Sequence, residues 1–225
     1  MINPNMATMF AFLTTDCAIS STLLHEALRD STNRTYNRIC VDGDTSTNDM
    51  TAILASCAAG NAEIQDKDNN YDAFKQALDA VNLYLAKEIA RDGEGATKLI
   101  TCRVSNAPCE DTAVRLAKSV ISSSLVKAAM FGEDANWGRV LCSMGYSGAD
   151  FDVTKVDVAF SSLNGTVDVC KQGVGVAFDE DTTKNILTQK EIVIQISINA
   201  GEHTAEAYGC DLTYDYVKIN GDYRT

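Results

Sequence analysis

Ala7-Thr8, in the string Asn5-Met6-Ala7-Thr8-Met9, offers the most specific chemistry in this 225-residue sequence. A threonine hydroxyl is a weak nucleophile. It gains a built-in general base when its own α-amine is free, because that amine has a reference pKa of about 8. Inside a chain, freeing the amine requires breaking the preceding peptide bond. A small residue at that position, here Ala7, lets the hydroxyl reach the preceding carbonyl for an N-to-O acyl shift. As a bare dipeptide the signal is weak, since Ala-Thr pairs are common.

Competing chemistries lack their residues. The sequence has no GxSxG elbow, no P-loop, no HExxH and no GxGxxG following a strand. His25 and His203 are its two histidines, each without sequence logic for a triad, so core or surface roles are expected for both. The eight cysteines (17, 40, 57, 102, 109, 142, 170 and 210) are scattered and form no CxxC pair. They read as reduced, mostly buried residues of a cytoplasmic protein, with no metal expected. The formal charge of −12 argues against nucleic-acid binding. It weakly favours cationic small molecules, or simply keeps the protein soluble. No apolar run reaches the length of a membrane span. The opening stretch lacks a basic n-region and contains Asp16, which makes it a poor signal peptide.

The elements that would position such a threonine follow from periodicity. Ala7 to Thr15 reads as a buried strand, and Ser21 to Tyr36 as an amphipathic helix. Cys40 to Asp49 is a hydroxyl- and carboxylate-rich loop. The small residues of Thr51 to Ala59 read as a short helix. Asp72 to Ala90 carries Phe74, Ala77, Leu78, Val81, Leu85 and Ile89 at helical spacing, and Gly93 is expected to supply a left-handed cap. A strand over Lys98–Ser105 and a helix over Asp111–Met130 follow. Val156–Phe160, Gly165–Cys170, Glu191–Ile198 and Thr204–Thr213 then read as mainly antiparallel strands, with glycine turns near 164–165 and 173–175. The fold class expected is α+β, with a weak boundary near residue 150.

Several blocks occur together and in order: Met1-Ile2-Asn3-Pro4-Asn5-Met6-Ala7-Thr8-Met9, Thr14-Thr15-Asp16, Asp42-Gly43-Asp44-Thr45-Ser46-Thr47-Asn48-Asp49, Arg91-Asp92-Gly93-Glu94-Gly95-Ala96-Thr97-Lys98, Ser124-Leu125-Val126-Lys127, and Phe131-Gly132-Glu133-Asp134-Ala135-Asn136-Trp137-Gly138-Arg139. In these the chain closely resembles the ornithine acetyltransferase family, the glutamate N-acetyltransferases of arginine biosynthesis. The match is to the family's β subunit, residues 8–225, preceded by seven residues from the end of its α subunit.

The resemblance implies a layered helix–sheet fold of the N-terminal-nucleophile-like (DmpA/ornithine acetyltransferase) type. It implies self-cleavage between Ala7 and Thr8, with Thr8 the acyl-accepting nucleophile. Substrate contacts would come from Thr8, Glu94, Asn220 and the last residue, Thr225. The reaction implied is acetyl transfer from N-acetylornithine to glutamate through an acetyl-threonine. No cofactor is expected, although some family members also use acetyl-CoA as a donor. The oxyanion-hole Thr-Gly pair and a substrate-binding lysine belong to the α subunit. The resemblance therefore implies an α-subunit partner and an (αβ)2 heterotetramer. Arg139 is a candidate carboxylate binder, with a structural role favoured beside a buried Trp137. The Asp42–Asp49 loop either supports the cleft or satisfies itself. Two other readings remain open: a related N-terminal-nucleophile aminopeptidase or amidase, and a non-catalytic β-like assembly fragment.

Overall fold

The computed structural model describes residues 1–3 and 9–223, in two units, Met1–Glu88 and Ile89–Thr225. Position 150, considered above as a boundary, lies inside the second unit.

The first unit opens with β1 (Phe10–Thr15), in which Ala11 and Leu13 point inward and Phe10, Phe12 and Thr14 outward. Ser20 caps α1 (Ser21–Arg34) by accepting from the Leu23 amide, and Leu23, Ala27 and Ser31 form its buried stripe. The helix stops at Arg34, two residues short of the expected end, and gives way to a tight turn over Tyr36–Arg38. A two-residue strand, β2 (Ile39–Cys40), and the polar loop lead to β3 (Met50–Ala55).

β3 corrects the helix expected over Thr51–Ala59. Alanine content favours a helix locally, but pairing decides the outcome. β3 lies parallel to β1, in register from Phe10↔Met50 to Thr15↔Ala55, and Ile53 turns inward against the core. That core gathers Leu13, Ile19, Leu23, Ala27, Ile64, Tyr71 and Leu78 between the sheet, α1 and α2 (Asn69–Arg91). α2 starts three residues before the expected helix because Asp68 accepts from the amides of Asn70 and Tyr71.

The second unit is a mixed sheet layered with helices. Its elements are β4 (Leu99–Ala107), α3 (Glu110–Ser122), α4 (Ser124–Phe131), α5 (Trp137–Gly145), β5 (Asp157–Ser162), β6 (Gly165–Lys171), β7 (Val174–Gly175), α6 (Glu180–Leu187), β8 (Glu191–Ser197), β9 (His203–Cys210) and α7 (Tyr214–Asp222). Strands of this unit run β9-β4-β8-β5-β6-β7. β4 and β8 are parallel; the other neighbours are antiparallel. The fully buried stripe of α3, including Ala113, Leu116, Ala117 and Val120, packs on β4 and β9.

The helix expected over Asp111–Met130 is two helices. Ser123 leaves helical geometry, and its hydroxyl accepts from the Val126 amide to start α4. The strand expected over Thr204–Thr213 ends at Cys210, and α6 and α7 emerge from stretches that gave no helical signal. All eight cysteines are free thiols, but only Cys40, Cys102, Cys170 and Cys210 are buried, which corrects the expectation that most would be.

One polar cluster in the first unit's interior is satisfied by sequence-distant partners. The buried Tyr36 hydroxyl donates to Asn82 Oδ1 at 3.1 Å, and Asn82 Nδ2 donates to Ser31 Oγ at 2.8 Å. Burial pushes the Tyr36 phenol up to about 12. Tyr36→Phe would leave Asn82 Oδ1 buried without its donor. The expected loss is about 1–3 kcal/mol of unfolding free energy, measured by urea denaturation.

Candidate functional site

Ala7, Thr8 and Thr225 lie outside the described residues. The backbone on both sides of 4–8 is held by one loop. On one side, Ile2 N donates to Asp42 Oδ1 at 3.0 Å, Val41 N to the Ile2 carbonyl at 2.7 Å, and Asn3 Nδ2 to the Gly43 carbonyl at 3.1 Å. On the other, Met9 N donates to Asp49 Oδ1 at 2.8 Å, and Met50 N to the Met9 carbonyl at 2.9 Å. The 42–49 loop satisfies itself in part, as foreseen, through Asp44 N on Asp42 and Asn48 N on Ser46 Oγ, and it also fastens the backbone on either side of residues 4–8.

Asp49 faces a cavity of about 370 Å³ lined also by Met9, His25, Arg29 and Tyr36. Its Oδ2 is buried and has no hydrogen-bond partner among the described residues. Burial pushes its carboxyl above the ordinary range, against the lowering effect of the Met9 amide. His25 lies at the exposed surface of α1.

In the second unit, Glu94 and Asn220 are carried by segments that lock together. Gly95, next to Glu94, has φ +67°; a Cβ there would sit 2.8 Å from the Tyr216 nitrogen and from Asp215 Cβ. Gly93, expected to be the left-handed residue, is not among the positive-φ positions; Gly95 is. Close approach to the start of α7 dictates which glycine is needed. Thr213 caps α7 by accepting from Tyr216 N, while its hydroxyl donates to the Gly95 carbonyl at 2.7 Å. Asp211, 3% exposed, accepts from Thr97 N at 2.8 Å, from Lys98 N at 2.9 Å and from the Thr97 hydroxyl.

Two buried lysines flank this junction. Lys98 Nζ donates to the Met130 carbonyl at 2.8 Å, and Lys127 Nζ to the Cys210 carbonyl at 2.6 Å. Burial lowers the Lys98 amine, with Glu133 and Asp211 opposing the shift. Glu94 is half-buried. Asn220 lies on exposed α7, its Nδ2 donating to the Tyr216 carbonyl one turn back, at 3.0 Å. Four residues of helix separate Tyr216 from Asn220, about 6 Å along the axis.

Arg139 has a structural place. Its guanidinium donates to the Leu125 carbonyl at 2.8 Å, and its amide to the capping oxygen of Asn136. Trp137 is half-buried rather than buried; it lies across Gly175, where a Cβ would come within 2.5 Å of the indole. Among the described residues, no group of three or more His, Cys, Asp or Glu is placed to hold a metal ion, and no helix is long and apolar enough to cross a membrane.

Sequence reasoning did not single out Asp211 or Thr213. The available signal was Thr213 three residues ahead of Tyr216, a helix-capping spacing at the start of α7.

A mixed sheet layered with helices defines an α+β protein, with the layered fold of the N-terminal-nucleophile-like type. The comparisons agree. The model of the ArgJ family matches residues 1–225, and the chain belongs to that family. It is 56% identical to the arginine biosynthesis bifunctional protein ArgJ of Symbiobacterium thermophilum, 53% to that of Caldanaerobacter subterraneus subsp. tengcongensis, and 52% to ArgJ 1 of Clostridium acetobutylicum. Each match covers all of this chain but only 55%, 56% and 55% of the relative. The chain thus spans little more than half the length of these curated relatives. The crystal structure of ArgJ from Bacillus halodurans superposes with a TM-score of 0.91 at 43% identity, over 96% of this chain and 100% of that one.

Two outcomes are expected. Gly95→Ala forces a left-handed alanine against the α7 backbone and should cost about 2–4 kcal/mol, read by chemical denaturation. Asp49→Asn keeps an acceptor for the Met9 amide and removes the raised carboxyl. A carboxyl whose folded-state pKa is raised destabilises the fold above that pKa, and the penalty fades as pH falls through it. The variant should therefore melt higher than wild type near pH 7.5, and the difference should shrink toward about pH 3.5, as followed by thermal scans.

Proposed function

We propose that this chain is the threonine-bearing half of an acetyltransferase of arginine biosynthesis. It would move an acetyl group from N-acetylornithine to glutamate. The observation that carries the reading is the family match over all 225 residues, together with relatives named as arginine biosynthesis bifunctional proteins.

Cleavage between Ala7 and Thr8 frees the Thr8 amine. Its hydroxyl, with that amine as general base, attacks the acetyl carbonyl of N-acetylornithine. Ornithine leaves, and an acetyl-threonine ester remains. The amine of glutamate attacks the ester, N-acetylglutamate departs and the hydroxyl is restored. Glu94, Asn220 and Thr225 hold the substrate, the Glu94 carboxylate through charge-assisted hydrogen bonds to an ammonium group. Asp49 and Asp42 fasten the backbone beside the nucleophile, which limits the geometry lost to chain motion. Acetyl-CoA is a second donor to test, and no cofactor takes part.

A second polypeptide, the α subunit of the same precursor, completes the site. The two then pair into a cytoplasmic (αβ)2 assembly. Chain lengths support the division: the Bacillus halodurans chain is matched over its whole length, whereas curated relatives are matched over little more than half of theirs.

The test is intact-mass spectrometry of the assembled pair after brief incubation with N-acetylornithine. The expected result is a chain beginning at Thr8 that gains about 42 Da, lost again on adding glutamate. A chain that stays unmodified while N-acetylornithine is turned over sinks the covalent mechanism. Release of free acetate without an amine acceptor would favour an amidase instead.

A further inference from the structure

One buried nucleophile takes no part in the chemistry above. Cys210, the last residue of β9, is 2% exposed, and the amine of Lys127 lies against it. Lys127 Nζ donates to Cys210 Sγ at 3.4 Å, as well as to the carbonyl of the same residue at 2.6 Å. Lys127 belongs to the buried residues of α4 and is 3% exposed. A further bond runs the other way, from Leu212 N to the Lys127 carbonyl at 3.3 Å. Side chain and main chain thus hold the amine beside the thiol, although the two residues stand 83 positions apart.

The other buried thiols have different surroundings. Cys170 Sγ faces the Val156 carbonyl at 3.8 Å. Burial pushes the thiols of Cys102 and Cys170 up, which keeps them protonated and slow to oxidise. Among the described residues, Cys210 is the one buried thiol that a lysine amine touches. Peroxides attack thiolates, and contact with a lysine is a setting in which proteins use them.

We propose that Lys127 and Cys210 form an oxidation site, at which hydrogen peroxide joins them through a nitrogen–oxygen–sulfur bridge that dithiols reverse. A first peroxide oxidises the thiol to the sulfenic acid, S–OH, and one water leaves. Lys127 gives its extra proton to solvent. A second peroxide then takes one hydrogen from S–OH and one from the amine and departs as two waters, while the sulfenic oxygen bonds to nitrogen. One thiol, one amine and two peroxides therefore become S–O–NH and three waters. Reduction needs four hydrogens, supplied by two molecules of a dithiol, and returns the thiol, the amine and one water.

Distance favours this product. A single oxygen spans nearly the gap between Nζ and Sγ, and the flexible lysine stem takes up the difference. A direct sulfur–nitrogen bond needs a larger movement inside a close-packed interior. The bridge ties α4 to the residue just before Asp211, so a junction made of hydrogen bonds becomes covalent. The inference is independent of the acetyl-transfer reading.

The test exposes the full 225-residue chain, freshly reduced, to excess hydrogen peroxide. The chain is then denatured, its remaining thiols are alkylated, and its tryptic peptides are mapped by mass spectrometry. Expected is a linked pair of peptides, one holding Lys127 and one Cys210, about 14 Da heavier than their sum, for one oxygen gained and two hydrogens lost. Trypsin should not cut after Lys127 in that pair, and dithiothreitol should restore both the cut and the free thiol. Lys127→Arg keeps a cation at the site and should lose the linked pair. Cys210→Ala should lose it too, while the exposed Cys57, Cys109 and Cys142 oxidise as in wild type. The wild-type map decides the matter even where a core variant fails to fold. The inference is overturned if Cys210 gains about 32 Da, as the sulfinic acid, while Lys127 stays cleavable. It is overturned equally if Cys210 remains a free thiol once the exposed cysteines are fully oxidised, or if the linked pair survives in Lys127→Arg. A pair about 2 Da lighter than its sum marks a direct sulfur–nitrogen bond and overturns the oxygen bridge.

Discussion

Asp211 is the point on which the second unit's candidate corner depends. Its side chain is almost wholly withdrawn from water. Such a group is tolerable only when donors replace the lost hydration. Thr97 and Lys98 supply three. In return, the loop that carries Glu94 loses its freedom. Thr213 repeats the arrangement two residues later, tying the Gly95 carbonyl to the first turn of α7. The buried amines of Lys98 and Lys127 end on main-chain carbonyls, so each is answered by a fixed dipole.

The first unit solves a different problem. Its candidate chemistry lies on a chain segment rather than a packed side chain, so the fold must restrain backbone. Asp42 and Asp49 do this from a single loop, one on each side of residues 4–8. A carboxylate suits the task because it accepts from amides that have no strand partner at that point. Its cost is visible at Asp49, where burial outweighs one hydrogen bond and the carboxyl is held less acidic than usual.

What the sequence disclosed follows the range of the forces involved. Strands β5, β6 and β8 and helices α1 and α2 were legible because their patterns are local and strongly periodic. β3 was not: an alanine-rich run says helix until a partner strand forty residues away is known. α6 and α7 are short; α6 buries only Thr183, Ile186 and Leu187 and α7 buries no residue, so each leaves little periodic signal in the sequence. The site divides the same way. Glu94, Asn220 and the 42–49 loop stood out within recognisable blocks. Gly95, Asp211 and Thr213 did not, because their roles arise from a contact between segments more than a hundred residues apart. Trp137 was expected to be buried, but its partner is Gly175, and nothing local signals that the contact leaves part of the indole open.

The link between Thr97 and Asp211 closes over 114 positions, and β4 cannot pair with β8 or β9 until the last fifth of the chain exists. During synthesis, which proceeds from the N-terminus at a finite pace, the first unit has all of its residues long before the second. The restraints on either side of residues 4–8 therefore use contacts within residues 1–50, on a core that extends to Leu78, whereas the Glu94 corner waits for Asp211 and Thr213. Long-range closure of this kind is also the slow step in folding. A ribosome-bound intermediate would thus be able to form the restraints on either side of residues 4–8 before the Asp211 corner can close.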